Sequence, residues 1–395
     1  LNTNLFLPIS SLLSLPYILY ILLLSKNDSV IKVISKNTCK SICEINSPFF
    51  KYSMKNPIII EYYHKKIITN IDQLDDLLNL TESEEIKNLL LIEISKIIQV
   101  YISEKNDFNE SFFIPSDSVK LNTTFRSYDF KDYDYKTPFI EYKVLKNLTR
   151  SYYKLIFNDC HNLATVIPAE FVNISKVLIK NKDKQLIDFL NTFNNTLFRY
   201  AIKHAYKNNE PRNLYNLSFH YSNMIKLYIN AEMVDVVKYY FDKVKFYAND
   251  LYKNSIKNPS LYFIVDALSY ELKNSLILIH KNNWNNDNQL YLLNLFFRLD
   301  NPPGYSKDEV DKGILGANNG TRRIQIGLAL YYLSKNNIEY AKKVIVNFLD
   351  DLKFFDEKIF RQNLETQCFL LSIFKETFWE DTDRGNLNIY FSKNK

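Results

Sequence analysis

From Pro138 onward, apolar residues recur every three or four positions, with Lys, Glu, Asp and Asn between them. That period puts the apolar side chains on one face of a helix. It predicts helices near 138–158, 161–181 and 183–208, then one over 211–230 that Pro211 begins. Met233, Val237, Tyr240, Val244, Tyr247 and Leu251 form one stripe; Leu261, Leu268, Leu272, Leu276 and Ile279 form the next. The breaks between stripes are short, so neighbouring helices are expected to run antiparallel as hairpins. Residues 138–380 therefore read as an irregular helical-hairpin array, and 381–395 as a tail.

Upstream, residues 28–137 read as a separate helical region. Ser29 to Cys43 is amphipathic, and Pro57 suits the first position of a helix through about Thr69. Thr81 and Glu84 read as a capping box for a helix carrying Ile86, Leu90, Ile94, Ile97 and Tyr101. Between Glu104 and Thr137 the period lapses into Asp, Asn, Ser and Tyr, with Phe112-Phe113-Ile114 as the one apolar knot. A stretch of that length reads as a long polar loop, and the domain boundary is expected there. Asp129, Asp132 and Asp134 lack the spacing, glycine and closing glutamate of a calcium loop.

At the other extreme, Leu5 to Leu24 holds no charge at all. As a helix it is about 30 Å long, the thickness of a bilayer's hydrocarbon. Lys26, Lys32, Lys36 and Lys40 follow it and no Lys or Arg precedes it. The positive-inside rule then makes 1–27 a membrane anchor at the cell membrane with the C-terminal region in the cytoplasm. A core helix is the alternative. The chain opens on Leu, which leaves room for further spans upstream.

Composition adds limits. Hydrophobic content of 46% and charged content of 24% are globular values. The net charge of +6 is spread along the chain, with no block of Lys and Arg interleaved with aromatics, so nucleic acid is not expected as a partner. Four cysteines are too few for a disulfide framework. Cys39 and Cys43 sit one turn apart without further ligands nearby, and the five histidines make no metal spacing, so neither metal nor cofactor is expected. His161 follows Cys160, but a nucleophile pair needs spatial adjacency. No catalytic set stands out.

Glycine is absent from the first 303 residues, and five of the six then fall between Gly304 and Gly327. This predicts an open loop at 304–323, with Thr321 capping a helix that begins at Arg322. Free N–H groups at that terminus, together with Thr321, Arg322, Arg323 and Gln325, would suit a phosphate or carboxylate. The loop lacks the Lys-Ser/Thr pair of a phosphate loop.

Leu328, Ala329, Tyr332, Ala341, Ile345 and Phe348 occupy the packing positions of a helix pair that resembles one tetratricopeptide unit. Three short patterns make 211–350 similar to the soluble part of bacterial membrane proteins of unknown function. They are Pro211-Arg212-Asn213-Leu214-Tyr215-Asn216, Asp300-Asn301-Pro302-Pro303, and Gly320-Thr-Arg-Arg-Ile-Gln-Ile with Leu328, Ala329, Tyr332 and Leu333 after it. That resemblance implies a membrane-anchored helical protein and supplies no activity. The leading expectation is a non-enzymatic scaffold that binds another protein or a second copy of itself. The rivals are a sensor or enzyme taking an anionic small molecule at 304–323, and a subunit of a transport or channel assembly.

Overall fold

Helix ends set this architecture, and none of the described ones uses glycine. In the computed structural model, which describes residues 27–53, 55–126, 137–255, 258, 261–299, 315–351 and 358, Asp159, Lys182, Asn209, Glu232, Asn283 and Asn336 hold a positive φ between 53° and 58°. Each follows the last turn of a helix. At Glu232 the N–H bonds to Ile229 O at 3.0 Å, and the next N–H, of Met233, reaches Tyr228 O at 3.0 Å. The same pair of bonds recurs at Lys182, Asn283 and Asn336. This is the Schellman closure, which satisfies the orphan carbonyls and turns the chain back. Lys182, Glu232, Asn283 and Asn336 fall roughly 50 residues apart, one per helical hairpin.

The helices are α1 (Asn27–Ile45), α2 (Pro48–Ser53), α3 (Pro57–Leu80), α4 (Glu84–Glu104), α5 (Asp117–Leu121), α6 (Phe139–Phe157), α7 (His161–Ala164) and α8 (Val166–Lys180). They continue as α9 (Lys184–Asn208), α10 (Arg212–Asn230), α11 (Val234–Ser255), α12 (Tyr262–Lys281), α13 (Asn286–Phe296), α14 (Leu315–Ser334) and α15 (Ile338–Asp351). The described residues contain no strand. The chain divides into two compact units, and the division falls inside α9, after Leu197.

In the first unit α4 is central and packs on α1, α3, α6 and α8. It buries Leu90, Leu91, Ile94, Ile97, Ile98, Tyr101 and Ile102. Two boundaries differ from the sequence reading. α3 runs on to Leu80 because Ile71, Leu74 and Leu78 continue its buried stripe. α4 is capped by Ser83, whose Oγ accepts from Ile86 N at 3.4 Å. Thr81 instead closes α3, its N–H bonding to Leu77 O. The polar loop expected at 104–137 is, over 105–126, a set of 3-10 turns and α5 that buries Phe108, Phe112, Phe113, Val119 and Phe125.

That segment stitches together the first unit, which by its internal contacts extends to Leu197. His64 of α3 holds Phe112 O and Ser116 Oγ at 2.8 and 2.9 Å. Lys143 of α6 pairs with Asp72 of α3 and bonds to Thr124 Oγ1 at 2.7 Å. Lys105 is 5% exposed and lies 3.1 Å from Glu141 Oε1 and 2.8 Å from Asp183 Oδ2. Burial works against the Lys105 charge, but the two carboxylates overcome it and hold its ammonium above the usual range. Buried charges persist only when paired in this way. The triad ties the end of α4, the start of α6 and the turn before α9.

In the second unit α12 is central and packs on α10, α11, α13 and α14. α10–α11, α12–α13 and α14–α15 are consecutive packed pairs. The first helices of successive pairs also touch, α10 on α12 and α12 on α14, as do α11 and α13. His280 of α12 locks one such junction. Its Nδ1 lies 3.0 Å from Tyr331 Oη of α14, and its ring meets Tyr331, Tyr332 and Tyr340 edge-on. Leu328, Ala329, Tyr332 and Ala341 are buried, whereas Ile345 is exposed.

The expected anchor Leu5–Leu24, the Asp129–Asp134 cluster and the tail 381–395 lie outside the described residues. Among the described residues one stretch, His161–Lys180, is long and apolar enough to cross a membrane, and half of it is buried inside the protein. A buried core stretch meets the same two criteria.

Candidate functional site

The second half of α9 carries two faces. Phe198, Ala201, Ile202 and Ala205 point inward and are buried. Arg199, Lys203 and Lys207 recur every four residues and are exposed. At 1.5 Å rise per residue these three cations stand about 6 Å apart in one row. α11 supplies the facing wall. Tyr240, Phe241, Val244, Tyr247, Ala248 and Leu251 are buried, while Phe246 at the stripe's edge is 64% exposed.

Two contacts fix how these helices meet. Phe198 stacks on Tyr247 with centroids 4.7 Å apart and planes within 6°, and meets Tyr221 of α10 edge-on. Further along, Tyr206 Oη donates to Asp250 Oδ2 at 2.7 Å and accepts from Asn254 Nδ2 at 2.9 Å. Phe198 thus meets Tyr247, and Tyr206 meets Asp250, so the two helices run in the same direction along their shared groove.

The groove holds about 630 Å³ and is lined by Arg199, Ile202, Lys203, Tyr206, Lys207, Phe246, Tyr247 and Asp250. Its floor is aromatic and aliphatic, and its rim carries three cations against one carboxylate. Burial, with the Asp250 carboxylate behind it, pushes the Tyr206 hydroxyl well above the ordinary phenol range. Tyr247 is likewise pushed up by burial, against the pull of Arg199. Neither phenol is poised to transfer a proton near neutrality. The groove can bind; it holds no acid–base pair matched to catalysis.

The residues expected to form an anion site sit differently. α14 begins at Leu315, so Gly316 and Gly320 are helical and Thr321 lies in the second turn, not at the cap. Its N–H is therefore not among the free donors of a helix terminus. Thr321 and Gln325 are fully buried, and Thr321 Oγ1 donates to Asp266 Oδ1 at 3.4 Å. Arg322 and Arg323 lie on the same helix, with side chains outside the described set, as are residues 300–314. The glycine-rich pattern misled because a helix whose apolar stripe is buried on α12 tolerates glycine at about 1 kcal/mol each.

Other candidate chemistry is dispersed. No three of His, Cys, Asp and Glu come together to hold a metal among the described residues. The thiols of Cys39 and Cys43 are pushed up, in both cases chiefly by burial, which makes them poor nucleophiles. Beside Cys160, His161 Nε2 lies 3.6 Å from the exposed Asp159 carboxylate, a neighbour the sequence did not single out. That pair sits in the left-handed turn after α6.

Sequence reasoning missed the α9–α11 groove. The available signal was the four-residue spacing of Arg199, Lys203 and Lys207 opposite a buried stripe. Compared with known proteins, the chain matches no family model, no curated protein and no solved structure.

Proposed function

We propose that this protein is a membrane-anchored helical-repeat scaffold that holds a protein partner in the groove between α9 and α11. The observation that carries the reading is the groove itself, an open apolar trough rimmed by Arg199, Lys203 and Lys207. A row of like charges over exposed aromatic surface is the composition of a recognition surface rather than of a folded core. The recurrence of packed hairpins at roughly 50-residue intervals supports a solenoid-like array, whose stacked helices create extended grooves of this kind. The uncharged run Leu5–Leu24, with lysines only on its C-terminal side, supports a tether that leaves the helical body in the cytoplasm.

Crosslinking in intact membranes tests this. Membranes carrying the full chain are floated on a density gradient and treated with an amine-reactive crosslinker. The scaffold reading expects the chain in the floated fraction, and a discrete heavier species containing it and one other polypeptide. A chain left in the unfloated fraction would contradict the tether. A floated chain that crosslinks only to lipid, or to nothing, would contradict the scaffold.

A further inference from the structure

We propose that the corner where α2 meets α3 docks on an anionic bilayer surface. Tyr52, Ile58 and Tyr62 sit among the lipid headgroups there, and Lys51, Lys55 and Lys65 face the headgroup anions. The proposal rests on the reading of a membrane-held body and names the face of that body that meets lipid. It draws only on α2 and the first turns of α3.

The corner is tightly built. Asn56 N–H donates to Ser53 O at 2.9 Å, which closes the turn between the two helices. Asn56 Oδ1 then caps α3 by accepting from Ile58 N at 2.9 Å. Phe50 of α2 packs edge-on against Tyr63, with centroids 5.7 Å apart. α3 turns Ile60, Tyr63, His64, Ile67 and Ile68 inward. Yet its outward stripe also opens apolar: Ile58 is 78% exposed and Tyr62, one turn on, is 56% exposed. Tyr52, on the other side of the turn, is 90% exposed. None of the three belongs to the core. Farther along α3 the same stripe becomes Thr69, Gln73 and Asp76. The apolar surface is therefore confined to the corner.

Charge selects the occupant. Lys51, Lys55 and Lys65 are exposed around these residues, and Lys66 Nζ lies 5.5 Å from the centre of the Tyr62 ring. Glu61 is the one carboxylate between Lys51 and Lys66. It is engaged elsewhere, accepting from Ser118 N–H at 3.2 Å. Tyrosine beside lysine suits a membrane–water interface, where the ring lies at headgroup level and the ammonium reaches the polar layer. Protein interfaces instead favour arginine and are depleted in lysine. The stretch 51–66 has four lysines and no arginine. Each lysine near an anionic leaflet strengthens binding by about fivefold, an effect that salt screens.

Tyr52→Trp tests the proposal, with the parent's emission subtracted so that the added indole is read alone. The full chain is reconstituted into vesicles of equal parts phosphatidylserine and phosphatidylcholine, the latter brominated in its acyl chains. The added emission is expected to be blue-shifted, and quenched relative to vesicles without bromine. Lys51→Gln with Lys55→Gln and Lys65→Gln is expected to weaken docking by roughly tenfold or more and relieve the quenching. Replacing phosphatidylserine by phosphatidylcholine is expected to do the same. Water-like emission overturns the proposal. So does a blue shift without bromine quenching, which would mean that protein covers the corner, and so does quenching that ignores both phosphatidylserine and the lysines. Flotation of the same vesicles separates the two failures. A chain that floats with its added indole in water keeps the tether and loses the docking face; a chain that does not float loses both.

Discussion

His64 shows what a single buried polar residue does in the first unit. Its ring packs edge-on against Phe112 and Phe139, with centroids 4.6 and 4.8 Å away. Nε2 donates to Phe112 O, so Nδ1 accepts from Ser116 Oγ, and the neutral ring satisfies both partners. Burial lowers its pKa to about 4, against smaller opposing effects of the Phe112 carbonyl and Glu61. An unfolded histidine titrates near 6.5. Stability from the neutral ring is therefore fully present above about pH 6.5 and is lost as pH falls toward 4. The loss is on the order of 3 kcal/mol across that window. Urea unfolding at pH 7 and pH 5 is expected to show the parent losing more stability on acidification than His64→Gln. Equal losses would mean that His64 is not held neutral.

At the scale of the helix, the left-handed turns carry the architecture without the residue best suited to them. A side chain in that conformation costs about 1–2 kcal/mol, which glycine avoids and asparagine partly offsets. Lys182→Gly with Glu232→Gly is expected to raise the melting temperature by a few degrees, while Asn336→Gly changes it little. No rise in the double variant would contradict the turn geometry.

The same turns explain what the sequence disclosed. The stripes of α6, α10, α11 and α12 were legible because one face of each is buried, and the six turns were hidden because Asp, Asn, Lys and Glu are common everywhere in this chain. Helix ends were misplaced where the deciding contact was distant. The stretch 105–126 read as a loop because the side chains that order it, His64 and Lys143, lie far away in sequence. α14 read as starting at Arg322 because glycine was taken as punctuation.

At the scale of the whole molecule, what was legible is a mostly helical chain whose described residues form packed pairs. The candidate site was not, because a groove belongs to two helices and no single stripe announces it. Arg199, Lys203 and Lys207 are spaced like any solvated helix face. Only the exposed ring of Phe246 opposite them, brought there by the Phe198–Tyr247 stack, sets that face apart by placing apolar surface beside it. Under the proposed scaffold reading, the charge row would set which partner is admitted and the aromatic floor would supply most of the contact area.

The most direct test is the mass of the detergent-extracted protein by light scattering, compared between the parent, Lys203→Glu with Lys207→Glu, and Lys281→Glu on another exposed position. The account expects the parent and Lys281→Glu to exceed the 46.8 kDa of the single chain by one partner, and the groove variant to fall back to it. A parent of single-chain mass, or a groove variant that keeps its partner, would contradict the account.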